Sequence, residues 1–154
     1  MRGRTCTDAP APVGALPPRS RDVWDVSSVP FVPSLAGRGN EMWALPGGKM
    51  ELGESIADCA IRETLEEAGI SVEIVGIVGT YTNPGHVFAY DDGEVRQEFS
   101  ICLLAQPTGG SLRTSDESHE VAWFAPEDTD DLQMVPSIRK RIDDWRAGRG
   151  PVVR

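Results

Sequence analysis

Cysteine and histidine are scarce in this chain. Its three cysteines, Cys6, Cys59 and Cys102, form no CxxC pair, and its only histidines are His86 and His119. An odd, scattered set of thiols argues against a disulfide framework or a zinc site. It fits a reduced compartment, so a cytoplasmic protein is expected. Two histidines leave little room for a His-rich metal centre or a His-based triad. Long apolar runs are also missing: no stretch approaches the ~20 residues needed to cross a bilayer. The basic residues near the start have no apolar core behind them, so a secretory leader is not expected. Positive charge is short as well. Fifteen Lys and Arg stand against 24 Asp and Glu, a formal net charge of −9. That balance argues against nucleic acid as a partner, because phosphate backbones want a basic face. A protein so acidic that nonetheless handled phosphate would need bound cations to invert the local charge.

The chain has 154 residues, 40% hydrophobic and 25% charged, which suits one ordinary globular domain. Residues 1–36 hold six of the twelve prolines. Residues 1–20 are expected to be disordered or loosely attached, with the domain spanning 21–154. Ser27–Met42 carries two prolines and two glycines and no continuous apolar run. It is expected to pair poorly and to leave part of the sheet short or its edge exposed.

From Trp43 the pattern sharpens. Ser55 reads as an N-cap with Asp58 as its capping-box partner, the helix running from Ile56 to Ala68 and Gly69 just past its end. Val72–Thr82 reads as a strand. His86–Tyr90 and Glu94–Ala105 read as a hairpin around Asp91-Asp92-Gly93. Gly109-Gly110 suggests a further turn, and Asn83-Pro84-Gly85 another. Glu120–Phe124 reads as a short strand. Pro136–Gly148 reads as a closing helix whose Ile138, Ile142 and Trp145 share one face. The sum is a mixed sheet flanked by two helices, an α+β or α/β sandwich.

The informative stretch is Gly48–Ile70, GKMELGESIADCAIRETLEEAGI. At about 100° per residue, Ala57, Ala60, Ile61, Thr64, Leu65 and Ala68 fall on one side of the helix, suited to lie close on a sheet. Glu63, Glu66 and Glu67 fall together on another side. Three carboxylates at such spacing repel one another, by some tenths of a kcal/mol per pair. Arg62 can pair with Glu66 but is not expected to neutralise all three. Glu54, just ahead of the cap, adds a fourth carboxylate. A Glu-rich helix face is ordinarily solvated surface. Clustered hard oxygens, however, also suit Mg²⁺, with Mn²⁺ as a substitute. Such ions neutralise phosphate charge and lower the pKa of an attacking water, and a spare carboxylate can act as general base. Gly47 and Gly48 let backbone approach closely, so a carbonyl there could join the metal shell.

This stretch resembles the Nudix box, with Gly48, Glu54, Arg62, Glu63, Glu66, Glu67, Gly69 and Ile70 in register and Thr64 departing at an apolar position. Weaker resemblance to bacterial Nudix hydrolases of the MutT and ADP-ribose pyrophosphatase kind runs from Trp43 to Trp145. The resemblance implies a Nudix fold, an α/β/α sandwich on a mixed sheet with the box as loop–helix–loop. It implies an Mg²⁺-dependent pyrophosphohydrolase cleaving a nucleoside diphosphate linked to another moiety: ADP-ribose, a sugar nucleotide or a nucleoside triphosphate. Metal ligands are then expected among Gly48, Glu54, Glu63, Glu66, Glu67 and Glu120, and catalytic groups among Glu63, Glu66, Arg62 and Glu120, with Glu117 in reserve. A small-molecule nucleotide would be the partner, with no nucleic acid and no membrane; a homodimer is a candidate assembly. The competing expectation is a non-catalytic Nudix module that senses a nucleotide or binds a protein. Such modules commonly lose box carboxylates, and this chain keeps them.

Other signals are weaker. Gly47, Gly48, Tyr81 and Arg96 are candidates for binding substrate, joined by His86, Tyr90 and Gln97. Alternating strand residues facing solvent explain the last five as easily. Trp43 and Trp123 read as core or pocket wall, and Pro84 offers weak support for ADP-ribose. No P-loop is present, since Gly48-Lys49 lacks the matching upstream Gly and a following Ser or Thr.

Overall fold

The computed structural model describes residues 29–34, 42–89, 93, 95–115, 120–148 and 150–154, with backbone alone for 29–34, 86, 88, 89, 96 and 98. The expectation for residues 1–20 lies outside them, as do Tyr90, Asp91, Asp92, Glu117 and His119. The elements run β1 (Val29–Ser34), β2 (Met42–Ala44), α1 (Ile56–Ala68), β3 (Ile70–Ala89), β4 (Val95–Gly110), β5 (Ala122–Phe124), α2 (Pro136–Arg146) and β6 (Val152–Val153). A 3₁₀ helix, Pro126–Asp131, precedes α2.

The strands form two three-stranded sheets, ordered β2-β1-β5 and β4-β3-β6. The first is antiparallel, whereas the second is mixed, because β6 runs parallel to β3 at Gly79 and Thr80. The expected hairpin is present, Ala89 facing Val95 across the turn. Its first arm is one long strand, not two. Asn83-Pro84-Gly85 is a bulge inside β3 and not a turn between strands. The Gly85 N–H donates to Asn83 Oδ1 at 2.9 Å, closing the loop locally while the ladder resumes at Val87.

Two sequence expectations are corrected. Ser27–Met42 does not pair poorly throughout, for all six residues of β1 are in register. Val29, Pro30 and Phe31 face Phe124, Trp123 and Ala122 of β5, and Val32, Pro33 and Ser34 face Ala44, Trp43 and Met42 of β2. Among the described residues each proline therefore has a strand partner on one side only, and its missing N–H costs no ladder bond if it faces the other side. Gly109-Gly110 is not a turn either: both lie in β4 opposite Ser71 and Ile70. Gly110 has φ +89°, and a Cβ there would run into the Gly69 carbonyl, so the close approach of strand and helix end needs glycine.

Two apolar clusters sit on opposite faces of the sheet layer. One joins α1 to the sheet through Ile61, Ala68, Ile70, Val72, Ala105, Val121 and Trp123. The other joins α2 to β2 and β5 through Trp43, Ala44, Phe124, Ile138, Ile142 and Trp145. Successive residues of β5, Trp123 and Phe124, enter different clusters, as the two-residue repeat of a strand requires. The layers are thus helix, sheet, helix. Trp43 meets Phe124 edge to face, centroids 4.9 Å apart, and Trp123 packs against the α1 cluster, so both tryptophans pack, partly buried, against the core.

Helix α2 lacks a side-chain N-cap and begins with Pro136 at its first turn. Arg139 donates from α2 to the Thr129 and Leu132 carbonyls at 2.6 and 2.9 Å, and Arg146 grips Asp130 at 2.5 Å. These contacts tie the acidic 3₁₀ helix to α2. The chain end closes the α2 side: Arg154 donates to both oxygens of Asp144 at 2.9 and 2.6 Å.

Candidate active site

The site is built on α1 because its ends are fixed locally. Ser55 accepts from the Asp58 N–H at 3.1 Å, and the Asp58 carboxylate accepts from the Ser55 N–H at 3.1 Å, a reciprocal capping box. Gly69 closes the helix at φ +74°, its N–H donating to the Leu65 carbonyl at 3.0 Å. With both ends pinned, the phase of the helix is set. Ala68 is fully buried and Cys59 nearly so, and the acidic arc turns away from the sheet. Leu65 departs from the expected apolar side, since 42% of it remains exposed.

Arg62 organises the carboxylates more fully than spacing suggested. Its Nε donates to Glu54 Oε1 at 2.6 Å and its Nη2 to Glu54 Oε2 at 3.1 Å, a two-point grip. Its Nη1 donates to Glu63 at 2.9 Å and Glu66 at 3.0 Å, and Nη2 also reaches the Lys49 carbonyl at 3.2 Å. One guanidinium therefore gathers three carboxylates from two segments and holds the loop before the helix. It offsets the mutual repulsion of Glu63 and Glu66. The two-point bond from Arg62 also holds the Glu54 carboxyl down at about 2, so it is ionised across the physiological range.

The glycine turn meets the helix on the same side. The Gly47 N–H donates to Glu67 Oε2 at 3.2 Å. Gly48 lies so close to Glu63 that an added Cβ would sit 2.5 Å from Cδ and 2.8 Å from Oε2 of its carboxylate. Sequence gave a reason for glycine here, close backbone approach, but not which carboxylate it approaches. Gly48, Glu54, Glu63, Glu66, Glu67, Arg62 and Gly47 are brought together by these contacts.

The remaining candidates lie elsewhere. Glu120 is exposed just before β5. Tyr81 is buried on the α2 side: its hydroxyl donates to Asp144 at 3.3 Å and Arg141 lies 5.5 Å above its ring. Those contacts give it a packing role. Arg96 lies in β4 opposite Phe88, and Gln97 is exposed opposite Val87.

The donor chemistry fits a hard divalent cation. Every side-chain ligand candidate is a carboxylate, and the bare Gly48 backbone faces one of them. Among the described residues no three acidic, His or Cys side chains converge into a ready-made metal cage. The reason is visible in the ion pairs: Glu54, Glu63 and Glu66 are each turned toward Arg62.

The NUDIX domain pattern matches residues 31–145. A MutT-like protein of Streptomyces ambofaciens is 35% identical over 75% of this chain and 68% of its own length. An ADP-ribose pyrophosphatase of Methanocaldococcus jannaschii is 30% identical over 69% of this chain and 60% of its own. The chain thus spans about two thirds of the length of these relatives. A MutT NUDIX hydrolase structure from Burkholderia pseudomallei superposes with a TM-score of 0.60 at 25% identity, covering 79% of this chain and 90% of that one. The match extends well past the box, from β1 into α2, and so the chain belongs to the Nudix hydrolase family.

Proposed function

We propose that this chain is an Mg²⁺-dependent pyrophosphohydrolase, with Mn²⁺ as a substitute, acting on a nucleoside diphosphate linked to another moiety. The observation that carries the reading is the Arg62 cluster, four box carboxylates and two glycines held within one network of contacts. Glu54, Glu63, Glu66, Glu67 and the Gly48 carbonyl would hold the cation, with Glu120, in the exposed segment just before β5, as the further candidate ligand. When bound, Mg²⁺ neutralises diphosphate oxygens and acidifies the attacking water.

The rest falls to the chain's own groups. Arg62 fixes the orientation of Glu54, Glu63 and Glu66. Glu63, Glu66 or Glu120 takes the proton from the water that attacks phosphorus, and the diphosphate P–O bond breaks. Gly47 and Gly48 leave the loop thin enough for the diphosphate to come close.

The name of the M. jannaschii relative supports ADP-ribose as the first substrate to test, ahead of sugar nucleotides and nucleoside triphosphates. No described helix is long and apolar enough to cross a membrane, and Cys59 and Cys102 are both free thiols, which supports a cytoplasmic setting. The test is a substrate panel with product identification, run with Mg²⁺ and again after exhaustive EDTA treatment. Mg²⁺-dependent cleavage of a diphosphate-linked nucleotide is expected. Undiminished turnover after EDTA would sink the metal reading, and no turnover of any panel member would sink the catalytic one.

A further inference from the structure

The β3–β4 hairpin carries an apolar patch that neither helix cluster absorbs. Val87 is 51% exposed, Val95 61% and Phe99 63%. Val95 and Phe99 belong to β4, which stands at the edge of its sheet among the described residues. An edge strand presents backbone donors and acceptors ready to pair with another strand, and long apolar edges are normally guarded. Here the exposed end of the edge has a particular sequence, Val95-Arg96-Gln97-Glu98-Phe99.

That segment is complementary to itself. When a second copy is laid beside it antiparallel, with the two-fold axis at Gln97, Val95 faces Phe99, Arg96 faces Glu98, and Gln97 faces Gln97. Every pair is a favourable cross-strand combination: apolar on apolar, opposite charges, amide on amide. Shifting the axis by one residue, to Arg96 or Glu98, places like charges opposite each other. Within the hairpin the register sets Arg96 opposite Phe88 and Gln97 opposite Val87. A two-fold interface is self-complementary by necessity, so a palindrome of charge and apolarity on an edge strand points to another copy of the same chain.

We infer that two copies of this chain associate through β4, antiparallel and centred on Gln97, joining the two edges and covering Val95 and Phe99. This role is independent of the hydrolase reading, because it uses no residue of the Arg62 cluster.

Sedimentation velocity over a dilution series of the full chain tests it with charge reversals. Arg96→Glu alone sets Glu against Glu twice across the axis, and Glu98→Arg alone sets Arg against Arg twice. Each single reversal should weaken the dimer roughly 10-fold or more. The double variant, Arg96→Glu with Glu98→Arg, restores both pairs and should dimerise like the parent. An equimolar mixture of the two single variants should form a heterodimer, because each then supplies the charge its partner lacks. A parent that stays monomeric throughout the series overturns the inference, as do single reversals that dimerise undiminished or a double variant that is not rescued. Should a reversal impair folding, Phe99→Lys at its exposed position probes the same seam. A folded Phe99→Lys chain that dimerises normally overturns the proposal equally.

Discussion

Gly48→Ala separates a metal-site geometry from a merely acidic helix. A Cβ at Gly48 would lie 2.5 Å from Cδ of Glu63, against an ordinary limit of 3.4 Å, so the carboxylate must retreat by about 1 Å. The backbone need not move, since Gly48 has no left-handed φ and the obstructing atoms are the end of a flexible side chain. The cost to folding should therefore be small, no more than the loosening of one partly exposed Arg62–Glu63 ion pair. The cost to catalysis should be large. Displacing a reacting or ligating group by about 1 Å costs on the order of 10²-fold. The comparison is Gly47→Ala, whose Cβ would meet nothing within 4 Å and whose N–H to Glu67 survives. Steady-state kinetics with the best panel substrate, beside a thermal melt, reads both. Gly48→Ala should lose at least tenfold more kcat than Gly47→Ala at nearly the same Tm. Equal kcat values for the two would refute the placement of Glu63 in the reaction.

Other perturbations follow from the same contacts. Glu67→Gln and Glu63→Gln should each lower kcat by about 10²–10⁴ while the chain stays folded, because removing one of several crowded carboxylates relieves repulsion; near parental kcat in both would move the site elsewhere. Glu120→Gln should cost less than Glu67→Gln if Glu120 is auxiliary, and kinetics showing an equal or larger loss would make it the base. Asp144→Asn should destabilise by about 1–3 kcal/mol at neutral pH, measured by urea unfolding, as Arg154 and the buried Tyr81 hydroxyl lose their charged acceptor. The bonds from Arg154 hold the Asp144 carboxyl below its ordinary 3.8. Its stabilisation is therefore complete above pH 3.8 and fades as pH falls through the lower folded value. The Asn variant should flatten part of that acid limb, and an unchanged limb would count against the ion pair.

How much of this was legible beforehand depends on the range over which each feature is decided. Helix α1 was readable to the residue because its boundaries are local chemistry: Ser55 and Asp58 cap each other across one turn, and Gly69 takes a left-handed φ. The face of α2 was readable because Ile138 and Ile142 recur at helical spacing. The box carboxylates were readable as a set, because one helical register fixes their relative directions. Strand β1 was not, since a strand has no internal hydrogen bonds, and its two prolines looked disqualifying until the register gave each a single neighbour. Gly109-Gly110 looked like a turn because local propensity omits Ile70 and Ser71, the residues that pair with it. Strand β6 is two residues long and exists only against Gly79 and Thr80. That the Tyr81 hydroxyl meets Asp144, 63 positions away, was not legible either, because only folding brings the two together. Arg62 is the case between: its pairing with Glu66 follows from one turn of helix, but the grip on Glu54 and the Lys49 carbonyl needs the loop folded back over the helix. Sequence alone determined which charges the box carries and on which helix face. Tertiary structure decided which of them meet, because contacts between distant segments are set by packing and not by any local rule.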